Sequence, residues 1–254
     1  MRKLIAVFVL SIAAVLFFAG CAAVQDELSP SDLSLTELEK RMNKATDPEN
    51  KFRSSKTYLL DQEVVEKRLF DDSEAEFVRV KFEQPAKFSL TTLKDNVPES
   101  VFCSDGDRGW VADYRFRRVK MLSGSELKRF QVLSQLGSPV SNFEQIFPKV
   151  VVARCSNEDG NFYRIDCFSD NQAEPISFYV DCNTYLIRQM KARFKVGSGK
   201  LDYHAKILKY EKREGVMIPI ITEVEQNGLK QESKVINYKL NLPFPATDFL
   251  PPVF

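Results

Sequence analysis

The chain has 254 residues, 36 Lys and Arg against 35 Asp and Glu, 44% hydrophobic and 28% charged residues, the composition of an ordinary globular protein. A net charge of +1 lacks the basic excess of a general nucleic-acid binder, and a single histidine leaves little for histidine-rich metal sites or most acid–base chemistry. With 12 Pro and 10 Gly, neither a fibrous nor a disordered chain is expected.

Arg2 and Lys3 precede an apolar run from Leu4 to Ala19. That run is shorter than the roughly 20 residues of a membrane span and ends in small residues, so residues 1–20 read as a signal peptide. Phe18-Ala19-Gly20-Cys21 resembles the lipobox of bacterial lipoproteins, which implies lipid attachment at Cys21. Several acyl chains at about 0.8 kcal/mol per methylene anchor far more firmly than one. Ala22 follows in place of the Asp that resembles an inner-membrane retention signal. A lipid-anchored protein on the outer membrane, facing the periplasm, is therefore expected, with inner-membrane anchoring as the alternative. Cys103, Cys155, Cys167 and Cys182 remain. They allow three disulfide connectivities or buried thiols, and no C-x-x-C points to zinc or redox chemistry.

Residues 21–33 read as a polar tether and residues 34–254 as one domain. Ser34-Leu35-Thr36-Glu37 fits a capping box, with Leu35, Leu38 and Met42 on one stripe of a first helix. Strand patterns follow. Val78, Val80 and Phe82 alternate with Arg79 and Lys81, Pro85 ends that run, and Lys87 to Leu93 starts another. Ser100 to Cys103 and Gly109 to Ala112 flank a Ser104-Asp105-Gly106 turn, and Tyr114 to Leu122 reads as extended. Ser123-Gly124-Ser125-Glu126 is a second capping box opening a helix with Leu127, Phe130 and Leu133, closed at Gly137. A short helical piece carries Phe143, Ile146 and Phe147.

From Lys149 on, strands alternate with tight turns at Asp159-Gly160, Asp181-Cys182-Asn183, Gly215 and Asn227-Gly228. On the long run Tyr185 to Val196, Leu186, Met190, Ala192, Phe194 and Val196 share a face, which Arg188 interrupts. The proline-rich tail from Leu242 to Phe254 is expected along the surface. About eleven strands with short connections form an antiparallel meander that curls into a barrel or half-barrel.

In this order the pieces resemble the outer-membrane lipoprotein-sorting family, the periplasmic lipoprotein carrier and its outer-membrane receptor, over about residues 34 to 251. Phe82 to Leu90 (FEQPAKFSL) is similar to its strand–Pro–strand segment and Cys103 to Tyr114 (CSDGDRGWVADY) to its Asp-Gly hairpin. Tyr179 to Leu186 (YVDCNTYL) is similar to its Asp-x-x-Thr-x-Leu hairpin, with Cys182 where Pro is common. Gly215 to Gly228 resembles the final strand pair and Phe249-Leu250-Pro251 the closing segment. The resemblance implies a mainly β, α+β fold: a curved antiparallel sheet forming an unclosed barrel, with an N-terminal helix and a helical lid insertion. It assigns the family's lid-locking arginine to no single position; Arg117 and Arg118 lie nearest.

The resemblance also implies a concave face that holds acyl chains of lipoproteins or other amphiphiles, for transfer or reception. Val80, Phe82, Phe88, Trp110, Leu127, Phe130, Leu186, Met190 and Phe194 are the candidate cavity residues; packed core is the competing reading of all nine. Such binding breaks no bond, so neither catalysis nor cofactor nor metal is expected, nor a nucleic-acid partner. An outer-membrane or periplasmic protein partner stays open. One rival is a scaffold lipoprotein of the same fold with a filled barrel. The other is a hydrolase using His204, although no G-x-S-x-G elbow accompanies it. Arg115, Arg117, Arg118 and Lys120 read as a solvated strand face, or as a contact for anionic headgroups.

Overall fold

Asn227 and Gly228 adopt φ of 47° and 82°, the paired left-handed conformation of a tight hairpin whose twist matches its strands. Asp95 and Asn96 do the same at 51° and 63°. Such turns keep successive strands adjacent and antiparallel. The structure, a computed structural model, describes residues 26–67, 73–124, 126–127, 142–169, 174–196 and 199–254.

The first half holds β1 (Glu27–Pro30), β2 (Thr57–Lys67), β3 (Glu76–Glu83), β4 (Lys87–Lys94), β5 (Val97–Ser104), β6 (Gly109–Asp113) and β7 (Arg118–Leu122). The second holds β8 (Lys149–Asn157), β9 (Gly160–Phe168), β10 (Ile176–Asp181), β11 (Ile187–Val196), β12 (Gly199–Arg213), β13 (Val216–Gln226) and β14 (Leu229–Leu240). All 14 lie in one sheet, ordered β1-β8-β9-β10-β11-β12-β13-β14-β2-β3-β4-β5-β6-β7. Every pairing is antiparallel and none joins β7 to β1. The fold is thus the mainly β, unclosed half-barrel expected, with 14 strands in place of about eleven.

The two strands that the pattern did not announce are β1 and β2. In β2, Leu59 and Val65 occupy one face with Asp61 and Glu63, while Gln62 interrupts the apolar face, so no clean alternation marks it. Only its long-range pairing with β14 and β3 makes it a strand. β1 lies inside the segment expected as tether. It pairs with β8, and the preceding Asp26 carboxylate accepts hydrogen bonds from Tyr179, Arg164 and Asn157. Residues 26–30 are therefore fixed to the sheet. The extended reading of Tyr114 to Leu122 is also corrected: residues 114–117 form a turn, in which Asp113 Oδ1 accepts the N–H groups of Arg115 and Phe116 and Arg117 takes φ 48°.

Three described helices lie on one face, the inner face. Helix α1 (Leu35–Thr46) is capped by Ser34, whose hydroxyl accepts the Glu37 N–H, and it buries Leu38 and Met42. Helix α2 (Lys51–Ser54) is capped by the Asp47 carboxylate, which accepts three backbone N–H groups. Helix α3 (Phe143–Ile146) adds Phe143. One core cluster joins Leu38, Met42, Phe143 and Phe147 to Ile165, Phe178, Ala192 and Phe194. A second joins Phe52 of α2 to Tyr58, Val78, Val80, Phe88, Ile218 and Tyr238.

The outer face is covered where the chain ends. A short 3-10 helix (Ala246–Phe249) lays Phe249 against Val101, Cys103, Trp110 and Ala112. Among the described residues no helix is long and apolar enough to cross a membrane.

Candidate functional site

Because strand side chains alternate between faces, the register identifies what the inner face presents. Between β2 and β7 three cross-strand rows lie side by side. Tyr58, Phe82, Phe88, Ser104 and Gly109 form the first. Leu60, Val80, Leu90, Phe102 and Val111 form the second. Gln62, Val78, Thr92, Ser100 and Asp113 form the third. The surface is thus amphipathic by rows: apolar along the second, aromatic over β2 to β4 of the first, and largely polar along the third. Leu60, Phe82, Leu90, Phe102 and Val111 are only partly buried. The other half of the inner face differs: there Phe178, Ala192 and Phe194 are buried in the core cluster beneath α1 and α3.

The sequence-predicted residues separate accordingly. Val80, Phe82 and Phe88 share the β2–β6 part of the inner face. Met190 and Phe194 belong to the packed cluster under α1 and α3. Leu127 reaches the inner face at Gly109, where an added Cβ would come 2.8 Å from Leu127 Cδ1. Cys21 and Phe130 lie outside the described residues.

Trp110 requires correction. It pairs with Cys103 on the outer face, fully buried beneath the C-terminal segment with Phe249; its neighbour Val111 faces inward instead. Leu186 requires another. A bulge at Arg188 pairs Val180 with Ile187, which places Ile187, rather than Leu186, beside Met190 at the packed cluster. Leu186 is buried but belongs to none of the apolar clusters. Sequence reasoning missed Leu60, Leu90, Phe102 and Val111, although the inner register of Val80 and Phe82 leads to each of them by hairpin pairing.

His204 lies on the outer face in a groove of about 620 Å³ lined by Tyr179, Lys191, Tyr203 and Glu225 among others. Its Nε2 faces Oε1 of the buried Gln189 at 3.3 Å, and Gln189 donates to Asp159. Burial, then the nearby Lys191 and Lys206, hold its pKa below the ordinary 6.5, against the pull of Glu225 and Asp159. The imidazole partner is thus an amide, not the hydroxyl a serine mechanism needs.

The four cysteines among the described residues are thiols: Cys103, Cys155 and Cys167 are buried and Cys182 is half-buried. Arg154 donates to the Cys182 sulfur at 2.8 Å while bridging to Asp32.

An unclosed antiparallel half-barrel with helices on its inner face defines the class of the molecule. Solved structures share this fold at low identity. A candidate outer membrane lipoprotein-sorting protein domain from Vibrio parahaemolyticus is 12% identical at TM-score 0.56, covering 84% of this chain and 94% of that one. A LolA superfamily protein from Nitrosomonas europaea is 11% identical at TM-score 0.58, over 86% and 98%. A DUF1329 family protein from Desulfovibrio piger is 13% identical at TM-score 0.57, over 84% and 95%. No protein-family model and no curated protein matches the sequence.

Proposed function

We propose that this protein binds acyl chains of lipoproteins or other amphiphiles on the inner face between β2 and β6, and that it works in the bacterial envelope, tethered through a lipid on Cys21 to the outer membrane. The observation that carries the reading is the row pattern. Leu60, Val80, Leu90, Phe102 and Val111 offer a continuous apolar lane, and the neighbouring Gln62, Thr92, Ser100 and Asp113 offer hydrogen-bonding groups alongside it. An amphiphile has the same two sides. The fold shared with a structure named as an outer membrane lipoprotein-sorting protein domain supports the reading.

A bilayer and an apolar lane are both oily, so moving a chain between them changes little net free energy, whereas each methylene is worth about 0.8 kcal/mol against water. Binding of this kind needs no catalytic group. The packed cluster under α1 and α3 leaves the β8–β12 half to structural work, which moves the expected ligand site away from Met190 and Phe194.

Native mass spectrometry of the purified protein tests the proposal. Acyl chains should be retained by the wild type and lost in Phe82→Asn and Phe102→Asn, both partly buried positions; Phe82 packs against the second cluster and stacks on Tyr58, so Phe102→Asn, outside both main clusters, is the cleaner test. A wild type that carries no lipid and takes up no added fatty acid overturns the proposal and favours the filled-barrel scaffold. Metabolic labelling with palmitate, abolished in Cys21→Ser, tests the tether separately.

A further inference from the structure

The run from Arg115 to Met121 is exposed at every position, although it holds three large apolar side chains. Phe116 is 54% exposed and Met121 49%, and Val119 is also exposed. The cause is local: the Asp113-capped turn projects Phe116 outward, and β7 is an edge strand paired only with β6. The guanidinium carbons of Arg115 and Arg118 lie 5.6 and 5.8 Å from the centre of the Phe116 ring. At the same end, Phe254 meets Tyr114 edge-on at 5.3 Å, and Val253 is 100% exposed.

Positive charge is in excess here. Lys120 pairs with Glu126, and Arg115 has only a 3.9 Å approach to Asp113. Among the described residues no carboxylate bridges Arg117 or Arg118. Several cations elsewhere on the sheet are met by carboxylates, as Arg193 is by Asp202, Lys206 by Asp159 and Lys212 by Glu49.

We propose that this edge, Arg115 to Met121 with Val253 and Phe254, docks on an anionic membrane surface. Phe116 and Val253 enter the headgroup layer, and Arg117 and Arg118 meet lipid phosphates, which a guanidinium binds through two parallel hydrogen bonds. A bilayer supplies negative charge and an apolar layer together over any contour. The proposal rests on the reading that the protein works at a membrane, but not on ligand binding by the inner face.

Sedimentation with vesicles tests it, using the chain from Ala22 onward, which keeps every described residue and so every strand and core cluster. Vesicles of phosphatidylcholine mixed with phosphatidylglycerol should bind it, and pure phosphatidylcholine vesicles should not. The Arg117→Glu, Arg118→Glu double variant should lose more than about tenfold in partition, since each basic residue near an anionic surface contributes about fivefold. Phe116→Ser should weaken binding severalfold, and added salt should release the protein. Lys200→Glu, the same reversal at one position on β12, should bind as wild type does. The proposal falls if the double variant binds normally, if Lys200→Glu loses as much, or if neither vesicle binds, in which case the edge is left to a protein partner. Acyl chains retained by the double variant in native mass spectrometry keep this outcome separate from the fate of the inner-face reading.

Discussion

The thiol of Cys103 donates a hydrogen bond to the carbonyl oxygen of Asp248, 3.6 Å away, while the Asp248 carboxylate accepts one from Lys81 at 2.7 Å. Two strands of the outer face thus hold one residue of the C-terminal segment, and Phe249 beside it fills the space over Trp110. The chain end is a structural cover. Phe249→Ala should therefore cost roughly 3–5 kcal/mol, as removal of a fully buried aromatic does, read as a lower midpoint in urea unfolding. An unchanged midpoint would mean that the segment adds little to the fold.

Thiol reactivity should rank the cysteines. Burial pushes Cys103 up to about 12 and Cys155 up to about 11, and it raises Cys167 as well. The nucleophile is the thiolate, so these three should resist a water-soluble thiol reagent at pH 8 until the protein unfolds. Burial raises Cys182 too, but the adjoining Arg154 opposes the rise, and as the one half-buried thiol of the four it should react first. Peptide mapping after a short exposure checks the order.

His204 should make stability fall with acid. Its folded pKa lies below its ordinary 6.5 because burial and Lys191 disfavour the imidazolium. Between those two values the unfolded chain binds more protons than the folded one, so stability drops as pH falls below 6.5 and is unaffected by this group above it. Unfolding midpoints of wild type and His204→Gln, compared at pH 8 and pH 5.5, should diverge on acidification in favour of the variant. Because the chain has 1 His, one imidazole resonance reports the titration directly.

Asp26 should hold β1 in the sheet. Burial alone would raise its pKa, but hydrogen bonds from Tyr179 and Asn157 and the charges of Lys191 and Arg164 keep it below the ordinary 3.8. Asp26→Ala removes all of these at once and leaves the Tyr179 hydroxyl without its acceptor. Backbone amides of residues 27–29 should then exchange with solvent far faster, while those of β9 and β10 keep their protection. Equal exchange in both proteins would show that the pairing with β8 suffices alone.

Most of the sheet was legible because one face of each strand is apolar and turn residues such as Asn227-Gly228 mark the reversals. Trp110 was misplaced because β6 is buried on both faces: Trp110 and Ala112 lie beneath the chain end, and Val111 faces the interior. Alternation alone does not tell which face turns inward when a distant segment covers the other. Leu186 was misplaced because a bulge shifts the parity of a strand by one residue, and Arg188, visible as a polar interruption, was its trace. β2 and β1 depend on partners far along the chain, so local pattern carried little of either.

An open sheet ends in two rows of unsatisfied backbone donors and acceptors, and such rims invite other copies to stack on in register. Here each rim carries its own deterrent. One is only four residues long and ends in Pro30, which has no N–H to offer. The other bears Arg118 and Lys120, whose mutual repulsion between molecules opposes stacking. The gap can stay open without turning the protein into the seed of a fibre.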